Sequence, residues 1–158
     1  MSLNEEVEVL RRVPLFARIE ASKLKLIAFT SERMVYEAGE VLFTQGDMGD
    51  AAYIVLEGAV EVLVAAPPGQ IRVATLGRHE IIGEIAILTD VPRTATVRAV
   101  EKLVVLRIAK ELFFRLIAEF PQIGVEIMRE LAIRLEKTTG DLRDARSRLA
   151  DLGGNAPA

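Results

Sequence analysis

From Arg33 to Ile108 the chain holds no sustained helical period and runs instead in short apolar or alternating segments, each stopped by a turn. The candidate strands are Arg33 to Tyr36, Val41 to Thr44, Ala52 to Leu56, Ala59 to Ala65, Ile71 to Leu76, Ala95 to Val100 and Leu103 to Ile108. Between them stand Ala38-Gly39-Glu40, Gln45-Gly46-Asp47-Met48-Gly49-Asp50, Glu57-Gly58 and Ala66-Pro67-Pro68-Gly69. Glycine and proline in these breaks supply the backbone angles that a reversal needs. Many short strands at near-even spacing indicate an antiparallel barrel or jelly roll. Alternation places Val60, Val62 and Val64 on one face of their strand, and Ile71, Val73 and Thr75 on one face of the next.

Helices are expected at both ends. Asn4 to Arg12 carries Val7, Leu10 and Val13 at helical spacing, with acids first and arginines last, as a helix dipole prefers. Pro14 ends it, Leu15, Phe16 and Ile19 form a short apolar turn, and Ser22 is the expected N-cap of a helix to about Phe29, with Leu24, Ile27 and Ala28 inward. Met1-Ser2-Leu3 is given no role. After the last strand, Lys110 to Phe120 presents Leu112, Phe113, Leu116 and Ile117, and Pro121 both stops this helix and starts a long one to about Leu152. Along that helix Met128, Leu131, Leu135, Thr138, Leu142, Ala145, Leu149 and Leu152 recur at steps of three and four, the seam of a two-stranded coiled coil or of a helix lying on a partner surface. Gly140 interrupts it at a cost of up to about 1 kcal/mol relative to alanine, which marks an expected hinge.

The totals narrow the chemistry. Without cysteine there is no disulfide, thiol catalysis or thiolate-held zinc. The single histidine, His79, falls in the turn Gly77-Arg78-His79-Glu80, where a surface position is expected, and one histidine cannot build the metal centre of a cupin-type enzyme. No nucleophile–histidine constellation is present, so no catalysis is expected. A net charge of −3 speaks against nucleic-acid binding by this chain alone. No uncharged apolar run approaches a membrane span and NEEVEVLRR is too acidic for a signal peptide, so the expected location is cytoplasmic. The 158 residues suit one domain: residues 4–32 a helical lead-in, 33–108 the β-roll, 109–152 the C-terminal helices and 153–158 a tail.

Residues 82–96 carry the most specific chemistry. Gly83 directly precedes Glu84, a short apolar turn follows from Ile85 to Leu88, then an acidic loop from Thr89 to Val91, then Pro92-Arg93-Thr94-Ala95-Thr96. Glycine permits close backbone approach, and amides freed at the start of the turn point at an anion. Arginine offers a planar fork to phosphate oxygens and threonine adds a hydroxyl. A carboxylate would repel phosphate, so Glu84 is expected to face a neutral donor such as a ribose hydroxyl.

Gly83-Glu84, Ala86 and Arg93-Thr94-Ala95, in this order and among these strands, closely resemble the phosphate-binding cassette of cyclic-nucleotide-binding domains, as in the catabolite activator family, kinase regulatory subunits and gated channels. The resemblance runs from about Leu15 to about Leu142. It implies a mainly β fold: an antiparallel jelly roll (double-stranded β-helix) with N-terminal helices and two C-terminal ones. It also implies a regulatory sensor whose ligand is cAMP or cGMP and which uses no cofactor. By the same resemblance, Arg93, Thr94 and the amides near Ala86 hold the phosphate and Glu84 the ribose, with Gly83, Ile85 and Ala95 completing the cassette. Val62, Val73 and Ala74 would line the base end. The segment Arg134 to Thr139 is similar to one in the catabolite activator family whose adjacent hydroxyls reach adenine, a role that would fall to Thr138 and Thr139. Threonine at the place of Thr94 accompanies cGMP preference among the kinases, yet bacterial domains with Ser or Thr there often bind cAMP; with the paired threonines, cAMP is favoured. The last helix would dimerise the chain or close over the pocket. The chain stops short of room for a helix-turn-helix unit, which leaves a stand-alone module or a piece of a larger protein. A jelly-roll dimerisation module with no functional pocket is the alternative.

Overall fold

Residues 2–153 are described by the computed structural model. The strands are β1 (Glu32–Tyr36), β2 (Val41–Phe43), β3 (Ala51–Glu57), β4 (Val60–Ala66), β5 (Gly69–Leu76), β6 (Ile81–Ile82), β7 (Thr96–Ala99) and β8 (Leu103–Ala109). They form two four-stranded antiparallel sheets in the orders β1-β8-β3-β6 and β2-β7-β4-β5, the jelly roll expected from the sequence. The helices are α1 (Leu3–Arg11), α2 (Ala21–Thr30), α3 (Glu84–Thr89), α4 (Lys110–Glu119) and α5 (Pro121–Gly153), with a 3-10 turn at Pro14–Phe16.

The sequence of β3 and β8 explains the layering. Both are apolar at almost every position, because both faces of their sheet are covered. Tyr53, Val55, Leu103 and Val105 meet Val60, Val97 and Ala99 of the other sheet, whereas Ala52, Ile54, Val104, Leu106 and Ile108 face the helices. Phe16, Leu24, Ile27, Phe113 and Ile123 complete the helical side of that second core.

Several local expectations change. Ser2, given no role from sequence, is the N-cap of α1, its side chain accepting from the Glu5 amide at 3.2 Å. The N-cap of α2 is Glu20 rather than Ser22, and it makes no side-chain cap bond. The expected apolar turn after Gly83 closes into the six-residue helix α3. The two-residue β6 pairs with Tyr53 and Ile54, a length at which no alternation could announce it. At Gly140, α5 runs on without a break, and a Cβ there would meet nothing within 4 Å. The helix thus carries Gly140 without a break, because one glycine costs less than the helix gains from its neighbours. Residues 154–158 of the expected tail lie outside the described residues. No described helix is long and apolar enough to cross a membrane.

Candidate functional site

The site begins where β6 ends. Gly83 adopts φ 83°, a left-handed turn that glycine takes without steric cost, and it sends the chain into α3 with Glu84 as the first helical residue. At the far end Asp90 is again left-handed (φ 53°), and the chain returns through Pro92, which bridges to Met48. The Arg93 amide donates to the Asp47 carbonyl at 2.6 Å, and the Arg93 carbonyl accepts from the Gly46 amide at 2.9 Å. The loop from Gln45 to Asp50 thus clamps the backbone of Arg93. Thr96 anchors the same loop by accepting from the Gln45 amide at 2.9 Å.

The Arg93 side chain turns inward and the residue is 3% exposed. Nη1 donates to the Gly83 carbonyl at 2.7 Å and Nη2 to the Ala51 carbonyl at 2.6 Å. The guanidinium carbon lies 4.0 Å from the centre of the Phe43 ring, and Asp50 stands 3.6 Å from Nη2. Asp50 is itself held by Arg107 at 3.1 Å. Burial pulls the Arg93 pKa below its usual value, opposed by Tyr53, Asp50, Asp47 and Glu84. Nε is enclosed and has no hydrogen-bond partner. An unmet buried donor costs about 1–3 kcal/mol. The two bonds to carbonyls use one hydrogen of each Nη, so the guanidinium keeps donors for an anion in the cavity that it lines.

Glu84 is 5% exposed, and its Oε1 accepts from Arg134 Nη1 of α5 at 2.9 Å. Arg93 and Glu84 line one cavity of about 400 Å³, within the range that holds a small ligand. Cassette residues Gly83, Ile85, Ala86, Thr94 and Ala95 line it too. Phe43, Val62, Ala74, Leu76, Ile82 and Val97 form an apolar wall. One end is therefore polar and charged while the other is dry, the division that a phosphorylated sugar joined to a flat base would need. Two other cavities, about 350 and 310 Å³, lie beside α1 and beside α5 and contain neither Arg93 nor Glu84.

Three residues singled out from sequence lie elsewhere. Val73 is 54% exposed and does not line the cavity. Val62 pairs with Ala74 but Leu63 pairs with Arg72, so Val73 is the extra residue of a bulge. Ala74 and Leu76, paired with Val62 and Val60, turn inward, and Val73 alternates outward with Thr75. Thr138 and Thr139 are exposed on α5 and do not line the cavity either. The last buried apolar residue of α5 is Ile127, and from Leu131 to Thr139 every residue is exposed. The α5 residue that does reach the site is Arg134, which was passed over in favour of the hydroxyls beside it. A signal existed: a carboxylate buried at the start of α3 needs a cation from somewhere. His79 is also less exposed than its turn implies. It takes φ 75°, and its Nε2 is enclosed without a partner. Burial, then Arg78 and Arg12, lower its pKa. Among the described residues no cluster of His, Asp and Glu could hold a metal ion.

A jelly roll with a buried arginine and an arginine-paired carboxylate lining one half-apolar cavity defines a small-ligand-binding β-roll. Residues 33–120 match the family model described as "Cyclic nucleotide-binding domain", and the chain belongs to that family. It is 28% identical over 138 residues to the CRP-like cAMP-activated global transcriptional regulator of Mycobacterium tuberculosis, covering 87% of this chain and 62% of that protein. It is 35% identical to the cAMP-dependent protein kinase regulatory subunit of Blastocladiella emersonii, covering 84% of this chain and 32% of that one. The crystal structure of the Thermus thermophilus catabolite activator protein superposes with a TM-score of 0.78 at 30% identity, over 84% of this chain and 63% of that one. The chain thus spans less than two thirds of the length of the regulators it matches.

Proposed function

We propose that the chain forms one cyclic-nucleotide sensor domain, without catalytic activity, acting in the cytoplasm and preferring cAMP to cGMP. The observation that carries this is the buried Arg93 guanidinium lining the same cavity as Glu84. Arg93 and Thr94, with the first amides of α3, take the cyclic phosphate. Glu84 takes the ribose hydroxyl, and the wall from Phe43 to Val97 takes the base. The preference for cAMP is supported by the names of the mycobacterial and Blastocladiella relatives. Displacement of a fluorescent cyclic nucleotide by cAMP and cGMP tests it: cAMP is expected to compete at the lower concentration, and the reverse order overturns the preference.

Signalling would pass through α5. A ligand moves a helix only by its difference in affinity for the two positions, so contacts made in one position alone must supply the signal. Thr138 and Thr139 stand about 6–7.5 Å along the helix from Arg134, and closure of α5 would bring them toward the base. The apolar seam of α5 is open in the single chain, with Leu135, Leu142 and Leu149 each at least 66% exposed. A second copy packing seam to seam covers it, as in a two-stranded coiled coil. Sedimentation is expected to show a dimer that Leu142→Lys weakens; a monomer at tens of micromolar contradicts the pairing.

A further inference from the structure

Beyond Ile127, α5 is tied to the β-roll by the ion pair between Arg134 and Glu84. Arg134 lies on the boundary between two cavities, lining the one that contains Glu84 and also its 310 Å³ neighbour. That neighbour is lined by Val13, Pro14, His79, Glu80, Ile81, Glu130 and Ile133 as well. Glu130 sits four residues before Arg134 on the same helix, with the acid N-terminal to the base, the favourable order for such a pair. The structure therefore offers Arg134 one carboxylate across the groove and another one turn back on its own helix.

We propose that Glu130 is a positioning residue that competes with Glu84 for the Arg134 guanidinium, so that the charge on Glu130 sets how firmly α5 is latched to the cassette. When Glu130 is ionised it draws Arg134 back along α5. When it is protonated, Arg134 is left to Glu84. The groups facing Glu130 bear on the same competition. Burial raises its carboxyl above the usual value, Arg134 lowers it, and Glu84, Glu126 and Glu80 raise it again. Glu126 is already paired with Arg129 at 2.7 Å. His79, lining the same cavity, is held toward its neutral form. Loss of the Glu130 charge leaves Arg134 to Glu84 and so favours the latch; because acid acts on both carboxylates that compete for Arg134, the charge is removed by substitution rather than by pH.

The regulatory meaning rests on the sensor reading, since there the position of α5 is the signal, but the test needs no nucleotide. Because the chain has no cysteine, spin labels at Gln70→Cys and Asp141→Cys report the β-roll-to-α5 distance cleanly by pulsed electron resonance, with the labelled chain diluted in unlabelled protein. At neutral pH, Glu130→Gln is expected to raise the ratio of near to far populations about 1.4- to 2.3-fold, the scale of one helical ion pair. In an Arg134→Gln background, Glu130→Gln is expected to change nothing. An equal shift with and without Arg134, or no shift at all, overturns the competition. Failure to bind cAMP would sink the sensor reading and leave this result standing.

Discussion

Replacing Arg93 by alanine is expected to lower cyclic-nucleotide affinity by about 2–5 kcal/mol, roughly thirtyfold to several thousandfold, while the fold survives. The size follows from burial. A phosphate seated in this cavity has exchanged water for one guanidinium, and removing that guanidinium leaves the anion buried and unpaired. The effect on stability is much smaller because two terms oppose each other. Alanine strands the Gly83 and Ala51 carbonyls that Arg93 satisfies, yet it also removes a charge whose burial is costly enough to depress its own pKa. Calorimetry paired with chemical denaturation separates the two. Lysine is not an adequate replacement, because a single ammonium cannot reach both carbonyls and a ligand together.

Gly83→Ala is the second large effect. A Cβ at position 83 would stand 2.4 Å from Arg93 Nη1 and would sit on a backbone with φ +83°. The left-handed conformation alone costs a side chain about 1–2 kcal/mol. The contact adds more, since this guanidinium is tied to two carbonyls and stacked on Phe43 and cannot simply swing aside. Stability is expected to fall by at least the conformational cost, measured by denaturation. Affinity is expected to fall toward that of Arg93→Ala, because the displaced guanidinium no longer meets the phosphate. Unchanged affinity in this variant would mean that Arg93 is not positioned by Gly83.

The two substitutions also show which parts of the fold were legible in the chain. Gly83, Glu84, Ala86 and Arg93 are close in sequence, and a tight turn, a short helix and a returning loop bring them into one cavity. Local order was therefore enough. The continuous apolar runs of β3 and β8 announced strands, though periodicity could not say that each would be covered on both faces. What escaped depends on register or on distance. Val73 was assigned to the base end by resemblance, together with Ala74, and the observed strand turns Ala74 inward and Val73 outward. The two residues of β6 were too few to carry a period. Arg134 is separated from Glu84 by 50 positions, and only the packing of α5 against the start of the chain brings them together. Thr138 and Thr139 drew attention as paired hydroxyls, yet the helix had already left the β-roll before reaching them.

The most direct measurement of the central claim is a calorimetric titration of the unaltered chain with cAMP, repeated on Arg93→Ala. Saturable binding at one site per chain, lost or weakened at least thirtyfold in the variant, is the predicted result. No heat and no thermal stabilisation with either cAMP or cGMP, or binding indifferent to Arg93, would contradict it.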